Sequence, residues 1–231
     1  MQWVKSGHVN WTRIGFVVLA FGLLAAFFSW PRRQTLPDEH RAARQVVLFH
    51  TLSRADDPIV VLGDSITEAS TLPRSLCGHA IVNAGLGGAS TGSDLGNWLL
   101  SALAGKRAAL IVVALGTNDA FPSRSQQTFE TNYGKLLAQL ATMASRVVVL
   151  AVPSVEARNN VTVEARDQLM RTIDGYNSAL PGLARNSGAT FVALPPMSNP
   201  HTLDGVHLNA AGYSVWDAAD LQAAAPICNP N

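Results

Sequence analysis

Residues 59–67 read Ile59-Val60-Val61-Leu62-Gly63-Asp64-Ser65-Ile66-Thr67. Four consecutive apolar residues without polar alternation describe a strand buried on both faces. The Gly-Asp-Ser that follows ends the strand in a tight turn and carries a hydroxyl. A serine between a strand end and the start of a helix lies where free N–H groups and the helix dipole favour a developing negative charge. The same residues also suit an ordinary Ser/Asp helix cap. The pentapeptide Gly63–Thr67 alone leaves both readings open.

Outward from this stretch the pattern repeats. Apolar β-rich runs recur at 80–83, 109–115, 147–152 and 189–194. Between them lie helical stripes. Residues 93–103 place Leu95, Leu99 and Leu103 on one face, and 125–144 place Phe129, Tyr133, Leu136, Leu137 and Leu140. Residues 163–185 align Leu169, Ile173, Tyr176 and Leu180, and 210–224 close the chain. Such stripes face a core and call for no cofactor. Strands alternating with helices imply β-α-β units. The expected fold is α/β: a flavodoxin-like three-layer α/β/α sandwich with a five-stranded parallel sheet.

In such a sheet, sites form beyond the carboxyl ends of the strands. The chemically suggestive residues follow strands. The second strand runs into Asn83-Ala84-Gly85-Leu86-Gly87-Gly88, and the third into Gly116-Thr117-Asn118-Asp119. The loop after the fifth carries Asp204-Gly205-Val206-His207. A serine hydroxyl needs a base to become a nucleophile, and His207 is the natural base near neutrality. Asp204, three residues earlier, can orient one imidazole nitrogen while the other faces Ser65. Each block also has a plainer use. The glycines can simply shape a turn, and their spacing is not that of a dinucleotide fingerprint. Asn118-Asp119 can cap a helix. His201, Asp204 and His207 recur at three-residue intervals, but no further His or acidic cluster completes a metal set.

The four blocks together, in this order, resemble bacterial esterase/lipase-like members of the SGNH (GDSL-type) hydrolase superfamily over roughly residues 58–222. The resemblance implies that Ser65 is the nucleophile, His207 the general base and Asp204 its orienting carboxylate. It implies an oxyanion hole formed by the backbone N–H groups of Ser65 and Gly88 and the side-chain amide of Asn118. Gly88 falls five residues after Asn83, as the family pattern has it, with Gly87 the alternative. The first block reads Gly-Asp-Ser-Ile where the family has Gly-Asp-Ser-Leu, an apolar exchange without chemical consequence. Asp64 and Asp119 are expected to be structural carboxylates that hold loop N–H groups.

The chain has 231 residues, 48% of them hydrophobic and 14% charged. Much of the apolar excess lies at the N-terminus, where Ile14 to Trp30 carry no charge. As a helix these would span roughly 25 Å, slightly short of a bilayer core. Trp11 and Trp30 suit interfacial anchors. The bulky Ala25-Ala26-Phe27-Phe28-Ser29-Trp30 offers no clean small-x-small cleavage site, which favours an uncleaved signal-anchor. The organisation read from this is an anchor over 1–30, a juxtamembrane connector over 31–57, helical over 41–52, and the hydrolase domain over 58–231. Counting positive charges alone keeps the body cytoplasmic. A basic n-region before a single apolar segment favours export, and an exported, membrane-anchored domain is the expectation. Residues 1–45 hold six Lys/Arg and two Asp/Glu, so the remainder is mildly acidic, with eleven basic and fourteen acidic residues. That balance argues against nucleic-acid binding. Cys77 and Cys228 either pair or remain buried thiols.

The expected function is a serine esterase that cleaves carboxylic esters through an acyl-enzyme, without cofactor or metal. Short loops leave little material for a lid and favour short acyl groups such as acetyl. The partner is then a small-molecule or glycan ester. Acyl transfer, thioesterase or lysophospholipase action on the same residues, and a non-catalytic glycan-binding module are the alternatives.

Overall fold

The structure is a computed structural model that describes residues 36–121, 124–158 and 161–228. The chain divides into two units, 1–40 and 41–231. Only the opening turn of a helix is described in the first. The expected membrane segment, Ile14 to Trp30, lies outside the described residues. Among the described residues no helix is long and apolar enough to cross a membrane.

Helix α1 (Leu36–Ser53) precedes β1 (Ile59–Gly63), the stretch from which the fold was read. All five residues of β1 are buried. Side chains alternate across a strand, so β1 feeds two separate cores. Val60 and Leu62 join one, with Leu48 and Leu52 of α1. Ile59 and Val61 join the other. Burial on both faces is why the run lacks polar alternation. The stretch expected to be a connector therefore sends two leucines into the core of the body.

The helix α2 (Ser65–Ala69) follows, then β2 (Ser75–Leu76), β3 (His79–Gly85), α3 (Leu95–Leu103) and β4 (Ala108–Ala114). The short α4 (Thr117–Ala120) precedes α5 (Gln126–Leu140), β5 (Ala144–Leu150), α6 (Val163–Asn186), β6 (Thr190–Val192) and α7 (Ala210–Ala224). The core of Val60 and Leu62 also receives Leu95 and Leu99 of α3, Phe129 and Tyr133 of α5, and Ile173 and Tyr176 of α6. Phe129 and Tyr176 stack with ring centroids 3.8 Å apart. Trp216, Ala219 and Ala223 of α7 cover the opposite face. This gives three layers.

The strand order is β2-β3-β1-β4-β5-β6. Strands β3, β1, β4, β5 and β6 pair in parallel, the expected five. In sequence order they run 2-1-3-4-5, the flavodoxin-like arrangement. The expected sheet is corrected in one respect: it has six strands, because β2 pairs antiparallel with β3. Cys77 (φ 50°) and Gly78 (φ 86°) make the two-residue hairpin turn, and both central residues at positive φ is the hairpin geometry that matches strand twist. Two residues are too few to leave a periodic signal. Strand β5 begins at Ala144 rather than Val147, and β6 is confined to Thr190–Val192. Cys77 and Cys228 form a disulfide, with Cα atoms 5.3 Å apart and a sequence separation of 151. It ties the C-terminal end to the hairpin.

Candidate active site

Register brings the motifs to one rim. Gly63 lies opposite Gly85 of β3 and Ala114 of β4, so the segments that follow all three strands leave the sheet at the same level. Beyond Gly63, Asp64 caps α2, its carboxylate accepting from the Ile66 N–H at 2.9 Å. Burial pushes Asp64 up to about 6, against the pull of the Ile66 N–H and of His207. Ser65 is thus the first residue of a helix, and its N–H has no carbonyl one turn back to engage it. Close packing holds this helix on the sheet: a Cβ on Gly85 would collide with the backbone of Glu68.

Ser65 Oγ lies 3.0 Å from His207 Nε2. His207 Nδ1 lies 2.8 Å from Asp204 Oδ2. The other oxygen, Oδ1, accepts from the backbone N–H groups of His207 (2.8 Å) and Val206 (3.0 Å). Burial raises the proton affinity of Asp204, but these three donors outweigh it and hold the carboxyl down to about 2. It is a permanent anion at ordinary pH, which fixes the imidazole so that Nε2 faces the serine. His207 and Asp204 remain 47% and 42% exposed, so the dyad stands on an open surface.

A second carboxylate holds the loop that carries the dyad. Glu156 accepts from the backbone N–H of His201 (3.1 Å) and Thr202 (2.8 Å) and from the Thr202 hydroxyl. Its other oxygen is 3.3 Å from His201 Nδ1. His201 Nε2 meets the Ser154 hydroxyl at 3.0 Å. His201 is therefore committed to the underside of the loop. Among the described residues no group of three His, Cys, Asp or Glu is placed to hold a metal ion.

The glycine loop lies on the other side of Ser65. Leu86 N–H donates to Gly63 C=O (3.0 Å), and Ala89 N–H to Leu86 C=O (3.0 Å). Gly87 N–H donates to Glu68 Oε2 at 2.6 Å. Among the described residues nothing takes up the Gly88 N–H, and Gly88 is exposed with φ +76°, a conformation glycine adopts at no steric cost. In this geometry Gly87 is engaged and Gly88 is available. Asn118 Nδ2 donates to Ala89 C=O at 2.9 Å. One amide hydrogen thus holds the loop, and among the described residues nothing takes up the second. Asp119 is fully buried and accepts from the Thr91 N–H (2.9 Å) and hydroxyl (2.7 Å). Asp64 and Asp119 are both structural carboxylates, as expected.

Ser65, Gly88, Asn118, Asp204 and His207 thus share one rim, with a relay from carboxylate to imidazole to hydroxyl and unclaimed donors beside it. Glu68, Arg44 and Glu156, which brace the loops, were not singled out from the sequence. Their roles depend on contacts across 19 to 46 positions, for which a single sequence carries no signal.

No curated protein sequence matches the chain. Solved structures share the fold. A protein from Streptococcus pneumonia, provisionally named a platelet activating factor, aligns at TM-score 0.65 and 23% identity, covering 89% of this chain and 98% of its own. A catalytic mutant of Axe2, an acetylxylan esterase from Geobacillus stearothermophilus, aligns at TM-score 0.57 and 17% identity, covering 72% and 93%. A member of the lipolytic G-D-S-L family from Veillonella parvula aligns at TM-score 0.57 and 19% identity, covering 71% and 96%. Residues 61–215 match the model of the GDSL-like lipase/acylhydrolase family, so they contain all five converging residues. The chain belongs to that family and is a serine hydrolase acting on ester bonds.

Proposed function

We propose that the protein hydrolyses carboxylic esters of short acyl groups, acetyl above all, with Ser65 as nucleophile, His207 as general base and Asp204 as its orienting carboxylate. The carrying observation is the continuous relay of 3.0 Å and 2.8 Å from Ser65 through His207 to Asp204. As Ser65 Oγ attacks the ester carbonyl, its proton passes to His207 Nε2. The carbonyl oxygen becomes an anion that accepts hydrogen bonds from the N–H groups of Ser65 and Gly88 and the second amide hydrogen of Asn118. Each such donor is worth about 10²–10³ in rate. Collapse expels the alcohol, which takes its proton from His207. Water, deprotonated by the same imidazole, then releases the acyl group from Ser65.

The open setting of the dyad supports a short acyl group with a larger alcohol part lying in solvent. A cavity of about 590 Å³ does exist, lined by Met170, Ile173, Phe191 and Met197 among others, but none of the five site residues lines it. The acetylxylan esterase activity of the Geobacillus protein supports acetylated glycans as the substrate class to try first. We assign the domain to an extracytoplasmic compartment, held to the membrane through residues 14–30. The Cys77–Cys228 disulfide supports this, since such bonds persist in oxidising compartments.

Labelling with a fluorophosphonate, followed by hydrolysis of p-nitrophenyl acetate and acetylated xylan, tests the chemistry. Wild type is expected to label and turn over, and Ser65→Ala to do neither. A wild type that neither labels nor hydrolyses either ester would end this reading. Protease accessibility in spheroplasts tests the location: an exported domain is digested, a cytoplasmic one is protected.

A further inference from the structure

We propose that Glu68 and Arg44 are positioning residues that set the Gly88 N–H against the Ser65 N–H, and so tune the oxyanion hole from outside it. The inference rests on the hydrolase reading above. Glu68 lies on α2 three residues after Ser65, so its backbone moves as one body with the nucleophile. Its Oε2 accepts from Gly87 N–H at 2.6 Å, a short, charge-assisted bond. Peptide units are planar, so fixing the 86–87 peptide leaves only the φ and ψ of Gly87 between it and the Gly88 N–H. The loop is secured on its far side by the Ala89–Leu86 turn and by Asn118 on the Ala89 carbonyl. Glu68 therefore links the two backbone donors that a tetrahedral oxyanion must meet together.

Arg44, on α1, secures the assembly from behind. Its Nε donates to Gly85 C=O (3.0 Å), and its Nη2 to Asn83 C=O (3.1 Å) and Asn83 Oδ1 (3.3 Å). The same Nε is 3.6 Å from Glu68 Oε1, with the two side chains only 18% and 22% exposed. Asn83 completes the brace by donating to Thr67 C=O at 2.7 Å and accepting from Gly85 N–H at 2.9 Å. An exposed ion pair contributes little to stability. This pair instead aims one carboxylate oxygen at the glycine loop while the guanidinium holds the strand end from which the loop departs. Helix α1 thereby reaches the catalytic rim through Arg44.

The test is kinetic. Glu68→Ala is expected to lower kcat about 10- to 100-fold with KM within about twofold, because a displaced donor is felt in the transition state rather than on substrate binding. An alkylboronic acid adds to the serine as a tetrahedral mimic of the intermediate. Its inhibition constant should weaken by the same factor as kcat. Glu68→Gln keeps an amide oxygen for Gly87 N–H and should recover to within about threefold of wild type. Arg44→Met should show the same paired loss at smaller amplitude, about tenfold, and it decides the matter if Glu68→Ala does not fold. Unchanged kcat in the folded variants, a fall in kcat with boronate affinity intact, or a Gln variant as poor as Ala overturns the proposal. A wild type that neither labels nor turns over esters overturns the hydrolase reading, and this proposal with it. An active wild type with unaffected variants overturns this proposal alone.

Discussion

Asp220 on α7 is 1% exposed and shares the buried face of the helix with Trp216, Ala219 and Ala223. Among the described residues no group hydrogen-bonds its Oδ1. Burial, aided by the neighbouring Asp217 carboxylate, pushes Asp220 from its ordinary 3.8 up to about 7. The folded state therefore holds this proton where the unfolded chain has released it. Stability must fall as pH rises from about 4 to about 7 and then level off. At about 1.4 kcal/mol per tenfold change in proton affinity, the loss between pH 5 and pH 8 is about 3 kcal/mol. Asp220→Asn removes the titration at nearly constant shape. Its buried amide carries its own desolvation cost, but that cost is the same at every pH, so the change with pH isolates the carboxylate. Urea melts at the two pH values, followed by the fluorescence of Trp216 and Trp98, measure it. The variant should gain about 3 kcal/mol on wild type between pH 5 and pH 8, a relative midpoint shift of about 1.5 M at a slope of ~2 kcal/mol/M. Wild type and variant curves that move in parallel with pH would show that Asp220 ionises in the fold without penalty, and the reasoning would fail.

Three further outcomes are expected. Cys77→Ser, or reduction of the native protein, opens a loop with a sequence separation of 151; loop entropy puts the loss at about 5 kcal/mol, read as a drop in the urea midpoint that reductant produces in wild type but not in the variant. Gly88→Ala places a methyl where nothing lies within 4 Å, so only its φ of +76° opposes the change. Stability should fall by about 1–2 kcal/mol, and kcat should fall further than KM rises as the N–H is re-aimed, with steady-state kinetics and thermal melts separating the two. Glu156→Ala strips three donors of their acceptor at the base of the dyad loop, which should cost about 2–3 kcal/mol and lower kcat. Burial opposes ionisation of Glu156, but the hydrogen bonds from Thr202 prevail and hold its proton affinity below the ordinary range. The charged carboxylate's extra contribution is thus present above the usual glutamate range and lost as pH falls below it, so the destabilisation should shrink in acid.

The central strands were legible in the sequence because each position of β1 is buried, which forces an unbroken apolar run. The helices were legible where one face meets a core. The longest stripes, on α5 and α6, carry the Phe129, Tyr133 and Tyr176 cluster. What stayed illegible was short or long-range. Strand β2 has two residues and leaves no period. The pairing of Cys77 with Cys228 was an open alternative, because spacing says nothing of whether two cysteines meet. The contribution of α1 to the core turned on Leu48 and Leu52 joining the same core cluster as Val60 and Leu62, a placement no local pattern announces.

The glycine loop shows where legibility ends for the site itself. Ser65, Asn118, Asp204 and His207 are chemically distinct residues, so type and order single them out as candidates. Glycine carries no such mark. Gly87 and Gly88 are adjacent, both exposed, and equally able to approach a ligand. The Glu68 carboxylate takes the N–H of Gly87 and leaves that of Gly88. On the proposed reading, the backbone donor left to the chemistry is therefore selected by an acidic side chain three residues after Ser65. A substitution at position 68 should reach the reaction without touching any residue that meets the substrate.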